Sequence, residues 1–235
     1  MGNRLVYSPV GIFFIILLAI LLAFVVSLLF LDVLRTAFTR IGFTWEDAFV
    51  LLLVSLIGSG INIPLTTLES ETPIVRDSYV RVFGVTYRIP VSETIHTDTV
   101  LAINFGGAII PIMVSAYLLI QFPGAILYSA VGVIFVALIA NRTARVVRGV
   151  GIVIPTLIPP LSAALAAMAL VSIFSVGGNF VFIIAYIGGT MGSLLGADIL
   201  NLGKIKDVGA PVASIGGAGT FDGVFLSGII AVLLV

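Results

Sequence analysis

Two aspartates stand out in an otherwise apolar chain: Asp222, inside the stretch from Val212 to Val235, and Asp198, at the end of the stretch before it. A carboxylate at membrane depth is costly and usually faces a partner, a water-filled cavity or a substrate path. No lysine or arginine lies within an apolar stretch to pair with either acid. As a lone deep group, Asp222 suits a proton or cation carrier. Asp198, close to a helix end, also fits a plain solvated C-terminal acid. Taken together, on neighbouring helices reached from one side of the bilayer, they are the one constellation in the chain able to carry chemistry.

The elements that must position them are helices in lipid. Sixty per cent of residues are apolar and 9% are charged, and mean hydropathy is +1.28, whereas a soluble domain carries about a quarter charged residues. Uncharged runs of the length that crosses a bilayer recur along the chain. The expected fold is an all-α polytopic membrane protein, a single membrane domain over 1–235 with about seven spans at 10–31, 46–64, 98–121, 124–141, 151–173, 179–200 and 212–235. The first run is too long for the core of a secretory signal, and Leu31-Asp32-Val33-Leu34-Arg35 follows it where small residues would mark cleavage, so it reads as a retained span. The chain has no cysteine and one histidine, His96, which removes thiol chemistry and multi-histidine metal sites; no cofactor is expected. Zero net charge argues against nucleic acid, leaving membrane lipid and a membrane-embedded peptide or an ion as partners.

Basic residues set the orientation. Nine fall on the side of the N-terminus (Arg4, Arg76, Arg81, Arg88, Arg142, Arg145, Arg148, Lys204 and Lys206) and two, Arg35 and Arg40, on the other. That asymmetry places the N-terminus in the cytoplasm and the C-terminus outside. The longest connection, 65–97, is then cytoplasmic. Within it Ser78 to Ile89 alternates β-branched and aromatic residues about Phe83-Gly84, bounded by Pro73 and Pro90, and predicts a β-hairpin between helices two and three. An open hairpin edge can act as a cap or accept a partner strand.

Small residues stripe the last two spans: Gly188, Gly192 and Gly196 in the sixth, and Gly219, Gly223, Ser227 and Ala231 in the seventh. Such stripes let helix backbones approach closely, most simply each other here. At 100° per residue, Asp198 points well away from the glycines of its own helix. A Gly-x-x-Ile-Pro pattern recurs at Gly60, Gly107 and Gly151, and Pro159-Pro160 is expected to break the fifth span again. Broken helices with polar residues at the break, here Asn62 and Asn104, are also how transporters build ion and substrate sites. His96 and Asp98, with Asp198, form a candidate divalent-cation group, although solvated loop positions explain them as well.

The paired aspartates resemble those of the intramembrane aspartyl proteases, the presenilin and signal-peptide-peptidase group. Gly217-Ala218-Gly219-Thr220-Phe221-Asp222 is similar to that group's Gly-x-Gly-Asp motif with two residues added, and Ser227 matches a small polar residue beyond it. Asp198 follows Ala197 where the group has tyrosine, and no Pro-Ala-Leu motif follows. The likeness covers about the last 60 residues. It implies that Asp198 and Asp222 are catalytic, sharing one proton so that the pair activates water and protonates the leaving amide. Gly217, Gly219 and Ser227, with Asn104 at the break in the third span, are the expected substrate-facing residues. Over its whole length the chain resembles a bacterial and archaeal family of multi-pass membrane proteins of unknown function, which implies no activity and leaves a non-enzymatic membrane assembly factor as a third class beside hydrolase and transporter.

Overall fold

The computed structural model describes residues 9–82, 85–147, 151–207, 209–217 and 223–235, with side chains described outside 9–10, 70–78, 80–87, 89–97 and 206–207. It is mostly helical, with a small sheet. Helix α1 (Pro9–Arg40) is apolar on every side, and its first two thirds lie exposed. Only Leu34, Ala37, Phe38 and Ile41 are buried, at the three- and four-residue spacing of one helical face. Ser27, Thr36 and Thr39 turn their hydroxyls back onto carbonyls one turn earlier, so the helix presents no unpaired hydroxyl of theirs to lipid.

Helix α2 (Trp45–Gly58) opens on a side-chain cap: the Thr44 hydroxyl accepts the Asp47 N–H at 3.2 Å and itself donates to the Asp47 carboxylate at 2.8 Å. Strands β1 (Asn62–Val82) and β2 (Val85–Asn104) follow as an antiparallel pair running from Asn62 opposite Asn104 to Val82 opposite Val85. A π-helical turn, Phe105–Ile109, leads into α3 (Ile110–Gln121). A turn at Pro123–Ala125 leads into α4 (Ile126–Thr143). The short strands β3 (Arg145–Val147) and β4 (Gly151–Val153) pair with each other before α5 (Ile158–Phe174). Helix α6 (Phe180–Ser193) ends in a second π-helical turn, Leu194–Asp198, and a 3-10 segment, Ile199–Asp207. Strand β5 (Val212–Ile215) then lies parallel to β2, from Val100 opposite Val212 to Ile103 opposite Ile215, and α7 (Gly223–Leu234) closes the fold. The sheet order is β1-β2-β5.

Seven α-helices therefore occur among the described residues, but only three helical stretches, Gly11–Arg40, Pro123–Thr143 and Phe180–Ile205, are long and apolar enough to cross a membrane. The expected spans at 46–64, 98–121, 151–173 and 212–235 each contain strand at the ends where the Gly-x-x-Ile-Pro pattern or the Gly216-Gly217 pair sits. The hairpin accordingly runs past Pro73 and Pro90 into residues assigned to helix from sequence. Local residues permit the change and strand pairing completes it. Pro64 and Pro155 lack the N–H a helix interior needs, Gly151 sits at φ +129°, and Thr97 to Val100 carries β-branched residues suited to a pleat. Pro159-Pro160 opens α5 rather than breaking it, since the first turn's N–H groups have no helical partner in any case.

The glycine stripes serve two different neighbours. Gly188, Gly192 and Gly196 face α4, where added Cβ atoms would meet Gly132, Val136 and Ala137. The face toward α7 is instead Gly189 and Ser193: a Cβ at Gly189 would lie 2.8 Å from the Ser227 carbonyl, and Ser193 Oγ donates to Ser227 Oγ at 3.2 Å. Helices α6 and α7 do touch, through the residues beside the stripe the sequence emphasised.

Candidate functional site

Asp198 is the last residue of the second π-helical turn. Such a turn takes up an extra residue and re-aims the side chains at its end, so the 100° projection made for a regular helix no longer applies there. The Asp198 carboxylate is half-buried, and its Oδ2 accepts the backbone N–H of Gly216 at 2.7 Å. Gly216 follows β5 directly. Its φ of +77° and that of Gly217, +145°, suit glycine alone, and a Cβ on Gly216 would press into Ala108 of the first π-helical turn. A backbone donor, placed by glycine, thus meets a side-chain acid placed by a π-turn.

Asn201 completes the helix end. Its Nδ2 donates to the carbonyls of Gly196 and Ala197, each at 2.9 Å, satisfying acceptors that the end of a helix leaves free. Asn141 of α4 adds a bond to Gly196 O at 3.4 Å. Asn201 is 1% exposed, and its Oδ1 has no hydrogen-bond partner among the described residues.

The first π-helical turn lies in the same neighbourhood. Asn104, 1% exposed, caps it by accepting the Gly107 N–H at 2.7 Å. Its Nδ2 donates to Ser59 O at 2.7 Å and to Asn62 Oδ1 at 3.0 Å. Asn62 Oδ1 also accepts the Ser214 hydroxyl at 2.6 Å. Ser55 Oγ donates to Gly106 O at 2.8 Å, and Gly106 is pressed so closely on α2 that any Cβ there would collide with the Ser55 carbonyl. An apolar cluster binds the pieces: Leu101 of β2, Ala108, Leu194 of the second π-turn, Ile205, Ile215 of β5 and Val224 of α7.

Of the residues singled out from sequence, Asp222 and Gly219 lie outside the described residues. Gly217 sits in the turn after β5, next to the residue that contacts Asp198. Ser227 is buried between α7 and α6, accepting from Ser193. Asn104 is buried with its amide engaged by three internal partners. Asp98 is exposed on β2, opposite Glu69, and no group of three histidine or acidic side chains among the described residues is arranged to hold a metal ion. Sequence reasoning missed Gly216, Ser214 and Asn201. The first two had a signal, since Val212 to Ile215 is a short β-forming run delimited by Gly209 and Gly216.

Residues 56–234 match a family described as a protein of unknown function, DUF1614. The chain belongs to the DUF1614 family. The match begins near the end of α2 and takes in both π-turns, the sheet, Asp198 and α7, while α1 lies outside it. No curated protein and no solved structure matches the chain.

Proposed function

We propose that this DUF1614 chain is an intramembrane aspartyl-protease-like hydrolase whose acids are Asp198 and Asp222, acting on membrane-embedded peptides. The observation that carries the reading is the Gly216 N–H bond to Asp198. It ties the acid of α6 to the segment that leads, six residues on, to Asp222. Val224, two residues beyond Asp222, packs in one cluster with Leu194, which starts the turn ending at Asp198. In the proposed chemistry one carboxyl is protonated and the other ionised; the ionised one takes a proton from water as it attacks the peptide carbonyl, and the protonated one gives its proton to the leaving nitrogen. Among the described residues β5 is the end strand of the β1-β2-β5 sheet, and its outer edge is suited to receive an extended peptide.

The reading includes seven membrane-inserted elements, a cytoplasmic N-terminus and hairpin, and an outside C-terminus. Single cysteines at Lys204 and Arg35 of this cysteine-free chain should then label from opposite faces. Full-length protein in vesicles should cleave a peptide built as a membrane helix, and Asp198→Asn and Asp222→Asn should each abolish cleavage without altering thermal unfolding. Cleavage retained in either single variant removes the proposal.

A second reading, a proton- or cation-coupled transporter using Asp222, draws on the helices that stop short beside asparagine side chains. Under it, vesicles should show proton or cation flux that Asp222→Asn eliminates and Asp198→Asn only reduces.

A further inference from the structure

Strand β5 has four residues, too few for its own ladder to hold it firmly. Its leading end is fixed to β2 by the Val100 N–H to Pro211 O, 3.0 Å, and by the Thr99 hydroxyl to Ala210 O, 2.8 Å. Its trailing end, the one that delivers Gly216 to Asp198, is held beside the ladder at Ala102–Ser214 and Ile103–Ile215 by a chain of side-chain bonds. Ser214 donates to Asn62 Oδ1, Asn62 Oδ1 accepts from Asn104, and Asn104 is anchored at both ends of its amide, to Ser59 O and Gly107 N–H. Asparagine is the side chain that fits this last position. Aspartate would lose both N–H donors, and glutamine would place them one methylene too far.

We propose that Asn104 is the positioning residue of the candidate site, acting through Asn62 and Ser214 to hold the Gly216 N–H on the Asp198 carboxylate. The proposal deepens the reading of Asp198 as an acting acid and rests on it for its catalytic consequence. It gives the hairpin base a role in the site: a shift of β1 at Asn62 is passed to β5 through one oxygen atom.

Hydrogen–deuterium exchange of the full chain in vesicles, followed by mass spectrometry, tests this without requiring activity. Ser214→Ala removes only a hydroxyl and keeps the fold; exchange across 212–217 should quicken about fivefold to tenfold, the size expected for one lost hydrogen bond, while exchange at 209–210 stays unchanged. Asn62→Ala and Asn104→Asp should quicken it further, and Ser214→Thr, which keeps the hydroxyl, should restore the wild-type rate. In the cleavage assay, kcat should fall in proportion and KM should stay within about twofold, since a positioning loss acts on the chemical step. Exchange across 212–217 that is unmoved by both Ser214→Ala and Asn62→Ala overturns the proposal. If exchange responds as stated but the wild type cleaves nothing, the protease reading falls and the positioning of Gly216 stands.

Discussion

The two ends of the helix bundle are built on different principles. At one end the helices are joined by turns, at 41–44, Pro123–Ala125 and 175–179, and side chains meet side chains. Phe43 packs on Phe38 and Tyr117, Phe122 on Phe180, Tyr128 on Phe174, and Arg35 and Arg40 lie over Trp45 and Phe182. Amphipathic rings and guanidinium groups of this kind suit a membrane–water boundary. At the other end the helices stop short, strands replace them, and backbones meet backbones or are bridged by asparagine and serine. Buried extended backbone and helix ends carry N–H and C=O groups that must find partners. The strand end therefore needs a dense set of bonds to exist at all, and the same bonds place a carboxylate against a backbone donor. Among the described residues the turn end shows no comparable pairing of a carboxylate with a backbone donor.

If the contrast holds, substitutions should hurt most where backbones touch. Gly106→Ala drives a Cβ into the Ser55 carbonyl and the Ser59 N–H, neither of which can move without unseating α2, so it should cost about 3 kcal/mol or more. Thermal unfolding in detergent, compared with Gly177→Ala in the α5–α6 turn, would reveal this; equal stability of the two variants would break the comparison.

Asn201→Ala should cost less, about 1–2 kcal/mol, because it removes the amide donor of Ala197 O and leaves Gly196 O with only the 3.4 Å bond from Asn141. Proteolysis near the 3-10 segment should quicken in step with that loss. At the opposite end, Arg40 donates to Val232 O at 3.1 Å and stacks on Phe182. Arg40→Met keeps the stem but loses both contacts, and denaturant titration should register about 1–2 kcal/mol.

Smaller still is the effect expected between the two ends. The Tyr186 hydroxyl is wholly buried with no partner among the described residues, so Tyr186→Phe removes an unsatisfied group and should leave the midpoint unchanged or raise stability by up to about 1 kcal/mol. Gly177→Ala meets nothing within 4 Å and should stay within about 0.5 kcal/mol of the parent.

Much of the turn end was legible in the chain. The Thr44 cap, the Pro123-Gly124 turn and the Ser175 to Gly178 turn depend on a few adjacent residues whose types suit a cap or a tight turn. The strand end was legible in fragments. The hairpin could be recognised from its alternation about Phe83-Gly84, yet not its length, because Thr99 to Asn104 reads equally well as apolar helix until its partners at 62–68 are known. Asp198 was found by its charge in an apolar run. The Gly216 N–H opposite it was not, since no rule of spacing connects residues so far apart in sequence.

Composition and the run lengths of apolar residues by themselves determined that this chain has helices fit for a membrane, where several of them begin, and which acids are out of place. These are properties of single segments facing lipid, fixed by the cost of exposing polar groups there. The tertiary structure decided which segments stop being helix, which face of α6 meets α7, and what the Asp198 carboxylate touches. Those outcomes turn on β5 pairing with a strand more than 100 residues earlier and on glycines yielding to the particular backbone pressed against them, and neither is encoded in any one stretch of sequence.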